Sequence, residues 1–72
     1  MEYFERLKEL REDRDLRQSD IASLLNVTPS CYGKYERGEY SIPTQALITL
    51  CRFYNVSANY ILGLPPLPYP KR

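Results

Sequence analysis

Asn26-Val27-Thr28-Pro29 is a helix stop signal followed at once by a helix start signal. Asparagine tolerates the left-handed backbone conformation that ends a helix and turns the chain. Thr28 is a candidate N-cap, and Pro29 falls at the first helical position, where its missing N–H costs nothing. Upstream, Ile21, Ala22, Leu24 and Leu25 give an inner face to a helix that begins near Arg17 or Gln18 and runs through Leu25. Downstream, a helix from Pro29 to about Glu36 is stopped by Gly38. Two short helices joined by so tight a turn cross at a steep angle. They need a small residue where they touch, which Ala22 supplies. Ile21, Leu25, Val27, Tyr32 and Tyr35 fall at the spacings that anchor both from below.

Three more helices are predicted around this pair. From Tyr3 to Arg11, Phe4, Leu7 and Leu10 recur every three residues while charged residues fill the other faces, the pattern of an amphipathic helix. Glu2 and Glu5 in its first turn and Arg11 in its last suit the helix dipole. Asp13-Arg14-Asp15 reads as a polar connection, with Leu16 plugging the core. After a loop from Glu39 to Pro43, Thr44 caps a fourth helix that runs to about Tyr54, with Leu47, Leu50, Cys51 and Tyr54 on one face. Asn55 turns the chain, and Ser57 caps a short fifth helix, Ala58 to Leu62, ending at Gly63. The expected fold is all-α: a compact five-helix bundle over residues 1–63, followed by a proline-rich extended tail over 64–72. Pro65-Pro66-Leu67-Pro68 has the spacing read by domains that bind polyproline helices, but the cations follow too late for their usual register, and a plain mobile tail is expected.

Composition narrows the function classes. Seventy-two residues, 43% of them hydrophobic, make one globular domain near the lower size limit. Two cysteines twenty positions apart, with no histidine, make neither a zinc site nor a disulfide framework. They read as buried thiols in a reducing cytoplasm. No apolar run approaches the ~20 residues needed to cross a bilayer, and the start of the chain lacks the apolar stretch of a signal peptide. A cytoplasmic protein without membrane contact is expected. Without histidine, a nucleophile–base pair, a metal cluster or a phosphate-binding glycine loop, an enzyme is not expected. Nor is a cofactor, a metal or a small-molecule ligand. The net charge of +1 does not advertise nucleic-acid binding, and without Lys71 and Arg72 eight basic residues face nine acidic ones. Placement of charge by face therefore matters more than its sum.

Several side chains are candidates for a polar partner. The helix after Asn26 projects from the body, where it can enter a major groove ~12 Å wide. On it, Lys34 can donate to guanine N7 and O6, or remain a solvated lysine. The Gln18 amide, with the free N–H groups of its helix end, can make a phosphate site, or Gln18 is an ordinary helix-start residue. Ser19, Thr28, Ser30, Tyr40, Ser41 and Thr44 can add neutral phosphate contacts or serve as caps and surface residues. Arg14 and Arg17 flank the same helix start and either reach phosphate or stay solvated near Asp13 and Asp15. Tyr32 and Tyr35, three apart, read as core rather than as a stacking platform. Gly33 costs about 1 kcal/mol relative to alanine inside a helix; close approach to its backbone and a plain lapse in propensity both remain open.

The run from Gln18 to Gly38 resembles the helix-turn-helix of the phage-repressor family, also called Cro/cI-type or xenobiotic-response-element type. Tyr35-Glu36-Arg37-Gly38, then Ser41-Ile42-Pro43, then Asn55-Val56-Ser57-Ala58-Asn59-Tyr60-Ile61-Leu62-Gly63 resemble its later signatures, so the likeness covers about Phe4 to Gly63. It implies a lambda-repressor-like DNA-binding domain. Gln18 matches the position that holds a DNA phosphate and braces the recognition helix. Thr28, Pro29, Ser30, Gly33 and Lys34 match positions that face the groove. Arg11 and Glu36 match a pair that in relatives forms an internal salt bridge, and Arg37 with the loop Gly38 to Ser41 matches a segment that touches the DNA backbone. Asn26 replaces the commoner turn glycine. Pro29 cannot hydrogen-bond a base and Gly33 has no side chain, so Thr28, Ser30 and Lys34 carry most of the direct readout.

The expected function is a sequence-specific, DNA-binding transcriptional regulator, acting as a repressor. It is expected to bind double-stranded DNA at a short palindromic operator as a homodimer, with Tyr54, Tyr60, Ile61 and Leu64 as the candidate dimer surface. The alternative is a protein-interaction module of the same fold, antitoxin-like or an anti-repressor, with little DNA reading of its own.

Overall fold

The computed structural model describes residues 2–64. The polyproline motif and the remainder of the tail, 65–72, lie outside the described residues. Five helices follow in order: α1 (Tyr3–Asp13), α2 (Gln18–Leu25), α3 (Pro29–Glu36), α4 (Thr44–Tyr54) and α5 (Ala58–Leu62), with no strand among the described residues.

The helix ends show why these segments separate where they do. Asn26 and Asn55 both close a helix in the left-handed region, at φ 59° and 58°, and Gly63 does the same for α5 at φ 71°. Thr28 Oγ1 accepts a hydrogen bond from the Cys31 N–H (3.1 Å), and Ser57 Oγ accepts from the Tyr60 N–H (3.0 Å), each satisfying a donor that the first turn leaves free. Two boundaries differ from the sequence expectation. Thr44 is the first residue of α4 rather than its cap; the cap position belongs to Pro43, whose φ of −66° suits it, and among the described residues no side chain caps that end. Helix α1 runs on to Asp13, and the connection tightens at Asp15, which takes φ 56°. Aspartate tolerates this conformation, so the turn needs no glycine.

Each helix contributes to one core. Leu7 and Leu10 come from α1, Ile21 and Ala22 from α2, Tyr32 and Tyr35 from α3, Leu50 and Tyr54 from α4, and Ile61 from α5. Helix α1 packs on both α3 and α5, α4 packs on α5, and α2 and α3 pack tightly on each other. Ala22 of α2 is buried in this core, where a larger side chain would displace its neighbours. Leu16, Leu25, Val27, Leu47 and Cys51 are half-buried against this core. Cys31 and Cys51 are free thiols, both half-buried.

Two of the four residues proposed for a dimer surface are spent on the core. Tyr54 and Ile61 are buried, and only Tyr60 and Leu64 remain exposed. Arg14 also turns away from the start of α2: its guanidinium donates to the carbonyls of Leu10 and Tyr54, each at 3.3 Å, and lies over the Tyr54 ring. Of Arg14, read as either reaching a phosphate or staying solvated near Asp13 and Asp15, the structure shows an exposed residue held against the end of α4.

Candidate nucleic-acid interface

The turn between α2 and α3 is closed by its own backbone. The Asn26 N–H donates to the Ser23 carbonyl at 3.1 Å and the Val27 N–H to the Ala22 carbonyl at 2.9 Å. Helix α3 then leaves with its first residues outward, so that Thr28, Pro29 and Ser30 are exposed and Lys34 is half-exposed. Tyr32 and Tyr35 point the other way, into the core.

A buried polar network fixes the angle of α3. Arg11 Nε and Nη2 donate to the two carboxylate oxygens of Glu36, at 2.7 and 3.0 Å, in a bidentate pair. Arg11 Nη1 donates to the Leu16 carbonyl at 2.8 Å, and Gln18 Nε2 donates to Glu36 Oε1 at 3.1 Å. One carboxylate on α3 is thereby tied to α1 and to the first residue of α2. The Glu36 side chain is only 2% exposed. Burial pushes its carboxyl pKa up, but the hydrogen bonds from Arg11 and Gln18, the nearby Tyr32 hydroxyl and the Arg11 charge outweigh that and hold it below the usual carboxylate range. The hydrogen bond to Glu36 likewise raises the Arg11 pKa, so both partners stay charged. Desolvation pushes the Tyr32 hydroxyl up strongly and Tyr54 up to about 12, which keeps both neutral. Among the described residues neither of these buried hydroxyls has a well-formed hydrogen-bond partner.

Gly33 corrects one assignment. It is buried, not open to a groove, because the Gln18 and Arg37 side chains lie across it. A Cβ at this position would stand 3.1 Å from Arg37 Nη1 and 3.4 Å from Gln18 Oε1. Of the two explanations left open for Gly33, close approach is the one observed: Arg37 Nη1 comes tighter than an ordinary Cβ contact, while Gln18 lies at ordinary contact distance.

The cations on this side are held by neighbours. Arg17, largely exposed, pairs with Asp20 at 3.3 Å. Lys34 Nζ lies 3.3 Å from the Tyr40 hydroxyl and 4.8 Å from its ring centroid. Arg37 Nε donates to Glu39 at 2.6 Å. Ser19, Tyr40, Ser41 and Thr44 are all exposed, and Ser19 shares the start of α2 with Gln18. Sequence reasoning missed Asp20 and Glu39 as partners of the two arginines. Asp20 was visible as the third residue of a helix, where a side chain reaches back to the cap N–H; it accepts from the Arg17 N–H at 2.8 Å. Glu39 carried no such signal, because its position depends on the turn at Gly38.

Five helices with this turn and this outward α3 define a helix-turn-helix domain of lambda-repressor-like fold. A helix-turn-helix domain family matches residues 4–59, and the chain belongs to that family, in its Cro/cI-type branch. It is 39% identical over 69 residues to the uncharacterized HTH-type transcriptional regulator YobD of Bacillus subtilis (strain 168), covering 96% of this chain and 62% of that protein. The crystal structure of a transcriptional regulator from Listeria innocua superposes with a TM-score of 0.86 at 26% identity, over 97% of this chain and 65% of the other. The P22 c2 repressor, solved in complex with the synthetic operator 9T, shares the fold at a TM-score of 0.78 and 22% identity, over 86% of this chain and 94% of that one.

Proposed function

We propose that this chain binds double-stranded DNA sequence-specifically through the major groove and regulates transcription, as a repressor, from a short palindromic operator. The observation that carries this reading is the outward presentation of Thr28, Ser30 and half-exposed Lys34 on a helix whose angle is set by the Arg11–Glu36–Gln18 network. Lys34 would leave Tyr40 to donate to guanine N7 and O6, and Thr28 and Ser30 would address neighbouring base edges. Pro29 fills space beside them. Gln18 has a second amide N–H besides the one given to Glu36, and with the open N–H groups at the start of α2 it would hold a phosphate. Arg17, Ser19, Arg37, Tyr40, Ser41 and Thr44 would add backbone contacts, which set register without reading sequence. One such helix spans few base pairs, so a homodimer on half-sites ~34 Å apart is proposed as well, with a cytoplasmic location.

Selection of bound sites from random duplex DNA, followed by binding measurements on the recovered and scrambled sites across a salt series, tests the proposal. The recovered sites are expected to contain an inverted repeat and to bind far more tightly than scrambled DNA, with log affinity falling linearly with log salt. Equal affinity for both duplexes would remove sequence-specific reading. No salt-dependent DNA affinity, together with co-purification of a stoichiometric protein, would favour the interaction-module alternative.

A further inference from the structure

Glu39 owes its place to the backbone on either side of it. Gly38 takes φ 77°, and a Cβ there would meet the Phe4 ring at 2.7 Å, so the chain can turn here only as glycine. The turn folds the next residues back along α3: the N–H groups of Glu39 and Tyr40 both donate to the Lys34 carbonyl, at 2.9 and 3.3 Å. From that position Glu39 accepts from Arg37 Nε at 2.6 Å, while Tyr40 holds the Lys34 ammonium. The hydrogen bond from Arg37, reinforced by the charges of Arg37 and Lys34, keeps the Glu39 carboxyl below the usual range, so it is ionised at neutral pH. Both side chains of the pair are about half exposed, 54% and 52%, so water screens the pair and Arg37 can leave it. To Arg37 this carboxylate offers what a DNA phosphate would offer, an anionic oxygen at hydrogen-bonding distance.

We propose that Glu39 is a specificity-determining residue that competes with DNA phosphate for Arg37, an inference that rests on the DNA-binding function proposed above. Non-specific association is carried almost wholly by cations meeting phosphates. A duplex that offers α3 no base-edge contacts has no fixed register, and it leaves Arg37 with Glu39. A duplex that seats α3 in its groove brings one phosphate to a fixed point beside the end of the helix. There it takes Arg37, and the displaced carboxylate stays in water. On a chain whose basic and acidic residues nearly balance, withholding one cation from arbitrary DNA widens the gap between selected and unselected sites.

The test uses the full chain, its Glu39→Gln and Arg37→Ala variants and the double variant. Binding is measured between 50 and 200 mM salt on a duplex recovered by selection and on its scrambled counterpart, with helical circular dichroism to check folding. Glu39→Gln is expected to tighten the scrambled duplex about five- to tenfold and the selected one less than about twofold. It should also steepen the log–log salt dependence on scrambled DNA by about 0.9, one further phosphate contact. With Arg37 already replaced by alanine, the same substitution should change neither duplex by more than about twofold. No change on scrambled DNA, or equal tightening of both duplexes, would overturn the proposal. So would a gain of the same size without Arg37, since Glu39 would then act by plain repulsion. If no form of the protein binds either duplex, the DNA-binding function falls and this inference with it. If the selected duplex binds well and Glu39→Gln alters nothing, only the competition is lost.

Discussion

The inner side of α3 holds Tyr32, Tyr35 and Glu36 out of water and ties the Glu36 carboxylate to two other helices through Arg11 and Gln18. Its outer side leaves Thr28, Pro29 and Ser30 in solvent and rests Lys34 and Arg37 on an exposed loop. A buried ion pair is weak evidence for stability, because desolvation offsets most of the attraction. What it supplies here is direction, since a bidentate arginine–carboxylate pair admits few geometries. The contrast teaches that α3 is a helix whose orientation is specified from within and whose contacts are left open on the outside.

The largest predicted effect breaks the inner side. Glu36→Ala leaves Arg11 buried without its partner and should cost about 3–5 kcal/mol, a large part of what a domain of this size has available. Urea denaturation followed by circular dichroism measures it; a loss under about 1 kcal/mol would mean that Arg11 readily reaches water and that the pair does not orient α3. The same group gives a pH signature. Because Glu36 is held below its ordinary value, the native protein binds fewer protons than the unfolded chain in the window beneath that value. Its contribution is complete above about pH 4.5 and is lost as pH falls through the lowered folded value. Glu36→Gln should flatten this part of the stability curve. Asp20 and Glu39, held low by hydrogen bonds from Arg17 and Arg37, titrate nearby in both proteins, so the difference between the two curves isolates Glu36.

Next in size is a change confined to the outer side. Lys34→Ala removes a half-exposed side chain that, among the described residues, makes its one polar contact with the exposed Tyr40, so stability should move by less than about 0.5 kcal/mol. If Lys34 reads a guanine, discrimination between recovered and altered sites should shrink by about 1–3 kcal/mol at one base pair. Binding to a panel of single-base variants tests both halves. Unfolding of this variant would refute the separation of the two sides, and a uniform loss over the whole panel would move Lys34 to the phosphate contacts.

These two sides were unequally legible in the amino-acid order. Helix ends are local events, and Asn26, Thr28, Asn55, Ser57 and Gly63 announced them through the conformations and caps that those residues favour. Asp15 was missed because an aspartate in the left-handed region looks like any polar connector. Thr44 was misplaced by one residue because proline is as acceptable at the cap position as just inside it. The core tyrosines Tyr32 and Tyr35 followed from helical spacing, as did the buried Leu50 and Tyr54 of α4. Periodicity cannot recognise a buried carboxylate, however: Glu36 meets Arg11 from 25 residues away, and only the family resemblance suggested that pair. The groove-facing assignment of Gly33 failed for a related reason, since the side chains that cover it come from the start of α2 and the end of α3.

Gly33 is the seam between the two sides, and the smallest predicted effect falls there. Alanine in a helix interior is worth about 1 kcal/mol over glycine, so Gly33→Ala begins with a gain. Against it stand two contacts, and they differ in kind. Arg37 Nη1, at 3.1 Å from the new Cβ, is the tip of a long and half-exposed side chain that can swing aside. Gln18 Oε1, at 3.4 Å, is at ordinary contact distance and need not move, so its hydrogen bond to Glu36 survives. The net change should therefore be a stabilisation of about 0.5–1 kcal/mol, measured by the urea midpoint. Arg37 should meanwhile be loosened from Glu39, visible as a changed side-chain Nε–H resonance. A destabilisation would mean that Gln18 cannot hold Glu36 once a methyl group lies beneath it. The inner network would then extend through Gln18 to the surface proposed to meet DNA, and α3 would no longer be divisible into a side that orients and a side that reads.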